Sequence, residues 1–151
     1  MGKMKKRLVL CFGVLIIALS IWLGPFVSAR VALSSLKIEN VSKIIYVQYE
    51  DIPLSSKVKS KKCITAVNNQ KQIKNFVNMF QDGNIQLKHI DKKTSNMLFL
   101  YFEDDRVVNA YVENNCLGFK YGKYWVKLKD IDGFISSMER VDYVEIKELS
   151  Y

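Results

Sequence analysis

The sequence predicts an α+β fold: an antiparallel β-meander sheet with two amphipathic helices packed on one face, preceded by an N-terminal transmembrane or signal helix. Three observations predict it. A basic head is followed by a long stretch without a charge. Two later segments carry apolar residues at i, i+3, i+4 and i+7. Between them lies a series of short apolar runs broken by turn residues.

The chain has 151 residues, 49% hydrophobic and 25% charged. That is enough for one folded domain and too apolar for a disordered chain. Only 7 Gly and 2 Pro exclude collagen-like and low-complexity classes, and 3 Cys exclude a dense disulfide scaffold. A single His leaves no ordinary His-based zinc site.

Lys3, Lys5, Lys6 and Arg7 form the basic head, and Leu8 to Leu23 carries no charge. Gly24-Pro25 and Phe26-Val27-Ser28-Ala29 follow, with Val27 and Ala29 at the two small-residue positions of a secretory cleavage point. Cleavage would then fall between Ala29 and Arg30. The competing reading is a retained anchor, since Leu8 to Ala29 is long enough to cross a hydrocarbon core. Both readings keep the basic head inside and put the rest of the chain outside the cytoplasm, anchored in the cell membrane or secreted. The chain thus divides into a signal or anchor at 1–29, a stalk at 30–40 that could be helical and continuous with the anchor, and an extracytoplasmic domain at 41–151.

The formal net charge is +8, but the head supplies four of those charges. Residues 30–151 hold 19 basic and 15 acidic groups, a net +4. Such a mild excess on an exported domain does not point to nucleic acid.

Within the domain, Ser42 to Glu50 has strand composition. Asp51 to Lys62 reads as a loop, with Pro53 and Lys57, Lys59, Lys61 and Lys62. Cys63 to Val67 reads as a second strand. Ile73, Phe76, Val77 and Phe80 share one helix face; Asn69 is the N-cap, Gln72 completes a capping box, and Gly83 is the stop. From Ile85 to Ile90 the period becomes two. Met97 to Phe102 is apolar on both faces, which predicts a central strand. Asp104-Asp105, Asn114-Asn115 and Gly122-Lys123 are turns joining strands at Val107–Val112, Leu117–Tyr121 and Tyr124–Leu128. Ile131, Phe134, Ile135 and Met138 form the second helix stripe, capped by Asp130, with Asp132 suited to its first turn. Val141 to Leu149 is a last strand or a tail.

Several residues are candidates for chemistry. His89 could act as a general base, but no nucleophile motif accompanies it, and a satisfied strand histidine is the simpler reading. Glu103, Asp104 and Asp105 are dense enough for calcium, yet lack the spacing of a calcium loop and suit a hairpin turn. Asp130, Asp132 and Gly133 match only a fragment of such a loop and suit a helix start. Lys57, Lys59, Lys61 and Lys62 could meet an anionic surface or form a solvated loop. Tyr101 and Tyr111 fall on neighbouring strands, where exposed aromatics could bind a partner or simply fill the second face of the sheet. Cys63 and Cys116 could pair outside the cytoplasm or remain as core thiols. No phosphate loop, Ser-His-Asp order, HExxH or CxxC is present, so no cofactor or metal is expected.

The stretch Cys63-Ile-Thr-Ala-Val-Asn-Asn-Gln-Lys-Gln-Ile-Lys-Asn-Phe-Val, the strand Met97–Phe102 and the hairpin Tyr121-Gly-Lys-Tyr-Trp-Val resemble a group of uncharacterised small proteins of Gram-positive, often spore-forming, bacteria. These have an N-terminal signal or anchor and one extracytoplasmic α+β domain. The resemblance covers residues 41–140 and implies fold and compartment; it brings no catalytic residues.

The expectation for function is a non-catalytic binding or regulatory module of the cell envelope, tied to the membrane by its N-terminal helix. Its partner would be another envelope protein or an anionic wall polymer. The alternatives are an envelope-acting hydrolase using Glu103 and Asp105 near His89, and a small inhibitor or immunity protein.

Overall fold

The computed structural model describes residues 2–49, 61–86, 96–119 and 123–141, and of 2–10, 49 and 61–63 the backbone alone. Helix α1 covers Gly2–Ser34. The other elements are β1 (Val41–Tyr49), β2 (Lys61–Val67), α2 (Gln70–Gln81), β3 (Asn84–Gln86), β4 (Met97–Phe102), β5 (Val107–Glu113), β6 (Cys116–Phe119), β7 (Tyr124–Lys127), α3 (Ile131–Ser136) and β8 (Glu139–Arg140). The strands form one antiparallel sheet of eight in the order β3-β7-β6-β5-β4-β1-β2-β8. The expected α+β class is the one observed.

The meander β4–β7 runs as its turn residues require. Asn114 and Asn115 both take positive φ, 48° and 60°, the twist a two-residue hairpin needs. The same turn also anchors α3. Asn115 accepts from the Leu128 amide at 2.7 Å through its carbonyl, and from the Ile131 amide at 3.2 Å through its side chain. Asp130 then caps α3, accepting from the Gly133 amide at 3.0 Å. A six-residue helix therefore starts with two of its orphan amides satisfied.

Both helices lie on one face. Ile73, Phe76, Val77 and Phe80 of α2 and Ile131 and Phe134 of α3 are buried in one core with Ile44, Leu98, Leu100, Leu117 and Val126 of the sheet. Phe76 joins the two helices, its ring centroid 5.3 Å from Phe134 and 6.3 Å from Phe80. Phe80 meets Phe119 edge-on at 5.7 Å, the geometry ring quadrupoles favour.

Three local expectations are corrected, and the expected stop at Gly83 holds for a steric reason. Asn69 caps α2 by accepting from the Lys71 amide at 2.9 Å, but Gln72 forms no capping box. Its side-chain amide crosses to donate to the Ser137 carbonyl at 3.2 Å, tying α2 to the end of α3. Gly83 follows α2 for want of space: a Cβ there would lie 2.5 Å from Val126 and 2.9 Å from the Phe80 carbonyl. β2 begins at Lys61, so Lys61 and Lys62 belong to a strand instead of a loop. Residues 30–40 are no stalk. α1 continues through Ser34, and Leu33 and Ile38 are buried in the domain core.

The Cys63–Cys116 bridge is also excluded. Cys63 lies on β2 and Cys116 on β6, four strand steps apart. At about 4.8 Å per step the backbones are about 19 Å apart along the sheet, against at most about 7 Å for a disulfide. Cys116 is buried, and its thiol donates to Gln86 Oε1 at 3.8 Å.

Two strand pairings were not legible in advance. β3 crosses to the far edge to pair with β7, and β8 pairs with β2 through Thr65↔Arg140 and Ala66↔Glu139. The expected positions Asp51–Ser60, Leu87–Ile90, Tyr121-Gly122 and Asp142–Leu149 lie outside the described residues.

Gly118 is opposite Trp125 in the β6–β7 pair, and a Cβ on it would fall 2.6 Å from the indole ring. Gly118→Ala therefore overpacks a fully buried site and lowers stability by about 1–3 kcal/mol in urea unfolding. Asp130→Ala removes the α3 cap and costs about 1 kcal/mol by the same measurement. Cys63 and Cys116 should alkylate fully on denaturation without reductant; protection that yields only to reductant would contradict the strand order.

Candidate functional site

The sheet face opposite the helices carries two of the residues singled out for binding, Tyr101 and Tyr111. Its rows follow from the register. Lys43, Tyr101 and Val107 form one row; Ala66, Ile45, Phe99 and Asn109 the next; Ile64, Val47, Met97, Tyr111, Gly118 and Trp125 the third. Ile45, Val47 and Phe99 are buried and form a second, smaller cluster with half-buried Ile64, Ala66, Met97, Tyr101 and Val107 around them.

Tyr101 and Tyr111 do lie on adjacent strands and on this same face. They are not neighbours. Tyr101 is opposite Val107, so Tyr111 stands four residues, about 13 Å, further along β5. Phe99 and Asn109 occupy the row between them. Both tyrosines are half-buried, so they bracket an apolar strip instead of forming one open platform. Trp125 does not extend it, because its indole lies over Gly118 and is fully buried.

Tyr101 is the best-defined member. Lys43 Nζ stands 5.7 Å from its ring centroid, a cation held over the ring face. Ser42 Oγ donates to the Tyr101 carbonyl at 3.2 Å. Burial raises the pKa of the phenol above its ordinary value, so the hydroxyl stays neutral and available as donor or acceptor at physiological pH.

The basic run is only partly in view. Lys57 and Lys59 lie outside the described residues, and Lys61 and Lys62 start β2. His89 is likewise outside them.

The acidic cluster is a hairpin turn with its own cation. Arg106 donates to Asp104 through Nε at 2.7 Å and through its amide at 3.3 Å. That hydrogen bond first of all holds the Asp104 carboxyl below its ordinary pKa. Asp105 supplies the positive φ, 62°, that the turn requires. All four residues 103–106 are exposed. Asp130 and Asp132 belong to the start of α3. Among the described residues no three His, Cys, Asp or Glu side chains converge as a metal site would require.

Two clefts lie away from this face. One, of about 660 Å³, is bounded by the end of α1, the end of α2 and β3, and includes Phe26, Val27, Arg30 and Glu39. The other, of about 820 Å³, lies between α2 and α3 and is lined by Asn75, Asn78, Asp82 and Lys129 among others. Neither reaches Glu103 or Asp105. Sequence reasoning did not find the first cleft. Its one linear signal is Arg30, the first charge after the apolar stretch.

Along α1 the apolar side chains from Phe12 to Val31 are largely exposed, including Ile16, Ile17, Ile21 and Trp22. This helix is long and apolar enough to span a membrane or to be a signal sequence. Compared with protein-family models, with curated proteins and with solved structures, the chain matches none.

Proposed function

We propose that the chain is a membrane-anchored, non-catalytic binding or regulatory module, with its α+β domain held at the outer face of the cell membrane. One observation carries the anchored reading. α1 runs unbroken through the cleavage point expected at Ala29, and the helix beyond it is part of the domain. Ala29 is fully buried and Leu33 lies in the core. Cutting after Ala29 would take a buried residue from the fold and leave Arg30–Ser34 as a single short turn, too short to hold a helix by itself. The basic head at Lys3–Arg7 favours an inside N-terminus and an outside domain.

The contact surface is the sheet face bracketed by Tyr101 and Tyr111. Half-buried Tyr, Met and Val with one central Asn match the make-up of protein interfaces, whose cores are rich in Tyr and Met and poor in charge. That composition supports an envelope protein as partner over an anionic wall polymer. Lys43 adds positive charge beside the strip.

Intact mass of the chain from host membranes and medium should give the full-length species in the membrane fraction. A species beginning at Arg30 in the medium would overturn the anchor. Tyr101→Ser with Tyr111→Ser should lower crosslinking of the full-length chain to its membrane neighbour at least tenfold, as for two interface hot spots. Undiminished crosslinking by that variant, with its fold intact by circular dichroism, would remove this face from consideration.

A further inference from the structure

The cleft at the end of α1 has an unusual wall. Phe26 and Val27 belong to the uncharged stretch that begins at Leu8, yet they also line the cleft with Phe80 and Ile85 of the domain. From Leu8 to Ala29 there are 22 residues, about 33 Å of helix, against a hydrocarbon core of about 30 Å. For an anchored chain, Phe26 and Val27 therefore fall at the outer limit of the acyl region. Arg30, one turn on, falls at the depth of the phosphates. Trp22 lies one turn, about 6 Å, deeper, its ring centroid 6.5 Å from that of Phe26.

Two opposite charges line this cleft, Arg30 from α1 and Glu39 from the 3₁₀ turn Ile38–Asn40. They form no ion pair with each other within 4 Å, and both are exposed. A guanidinium matches a phosphate by a bidentate pair of hydrogen bonds. A carboxylate accepts from a primary ammonium. The cleft thus combines an apolar wall, a cation and an anion.

We infer that the cleft binds one outer-leaflet phospholipid with a phosphate and a primary amine in its headgroup, of the phosphatidylethanolamine type. The phosphate pairs with Arg30, the ammonium with Glu39, and the acyl chains descend along Phe26 and Val27. A volume of about 660 Å³ suits a headgroup and its glycerol. This rests on the anchored reading above and adds a ligand class to it. Phosphatidylglycerol lacks the amine, and phosphatidylcholine carries a quaternary amine without N–H donors. Both should bind less well.

The test is native mass spectrometry of the full-length chain from micelles holding equimolar phosphatidylethanolamine, phosphatidylglycerol and phosphatidylcholine. The wild type should retain one phosphatidylethanolamine at about ten times the level of either competitor. Arg30→Gln should lower that adduct about tenfold. Glu39→Gln should abolish the preference over phosphatidylglycerol while keeping lipid bound. Lys71→Gln, about 14 Å away along α2, should change nothing. Equal retention of the three lipids by the wild type, or an unchanged preference in Glu39→Gln, overturns the lipid site and leaves the anchor standing. A chain found cut after Ala29 lacks Phe26 and Val27 and overturns both.

Discussion

Phe76 makes the contact on which the remainder of this fold leans. Its ring is fully buried between Phe80 of its own helix and Phe134 of α3. α2 is also held by Ile73, Val77 and Phe80 against the sheet, whereas α3 leans on this contact. α3 has six residues, far below the length at which a helix persists in water, so its stability comes from packing and capping. The aromatic contact closes the two helices over the sheet, and Phe80 passes it to β6 through Phe119. The strip between Tyr101 and Tyr111 lies on the other side of the same sheet, backed by this filled core.

Local patterns proved legible where one residue type answers one local demand. The apolar stripe of α2, the left-handed asparagines at 114 and 115 and the Asp130 cap were all readable, since each depends on neighbours within four residues. Met97–Phe102 was readable as central because both of its faces are apolar, and it does lie inside the sheet. Three features depend on long-range contacts and were hidden for that reason. Gln72 was expected to turn back to Asn69 but reaches Ser137, 65 residues away. Gly83 is demanded by Val126, whose proximity depends on β3 crossing to β7. The separation of Cys63 from Cys116 is likewise a property of strand order. Of the candidate site, the shared face of Tyr101 and Tyr111 was legible from period two, but their separation along the strands depended on register.

The stalk is the most informative correction. Residues 30–40 look like a connector because they lie between an apolar helix and the first strand. Their apolar members Leu33, Ile38 and, beyond them, Val41 belong instead to the core. Lys37 makes the compact junction possible by taking φ 52°, which turns the chain from helix to sheet. The only interruption between α1 and β1 is thus a turn and one short 3₁₀ segment.

That junction bears on how the domain could meet anything else. A domain on a flexible tether samples all headings, and a partner need only wait for the right one. Here Ala29 and Leu33 pack the last turns of the helix against the fold, so in the anchored chain proposed above helix and domain would rotate about the bilayer normal together. The sheet face then points in one compass direction set by the helix. A neighbour in the same bilayer would find it by lateral diffusion and a single rotation. A tilt of the helix would swing the face toward or away from the membrane as a lever does.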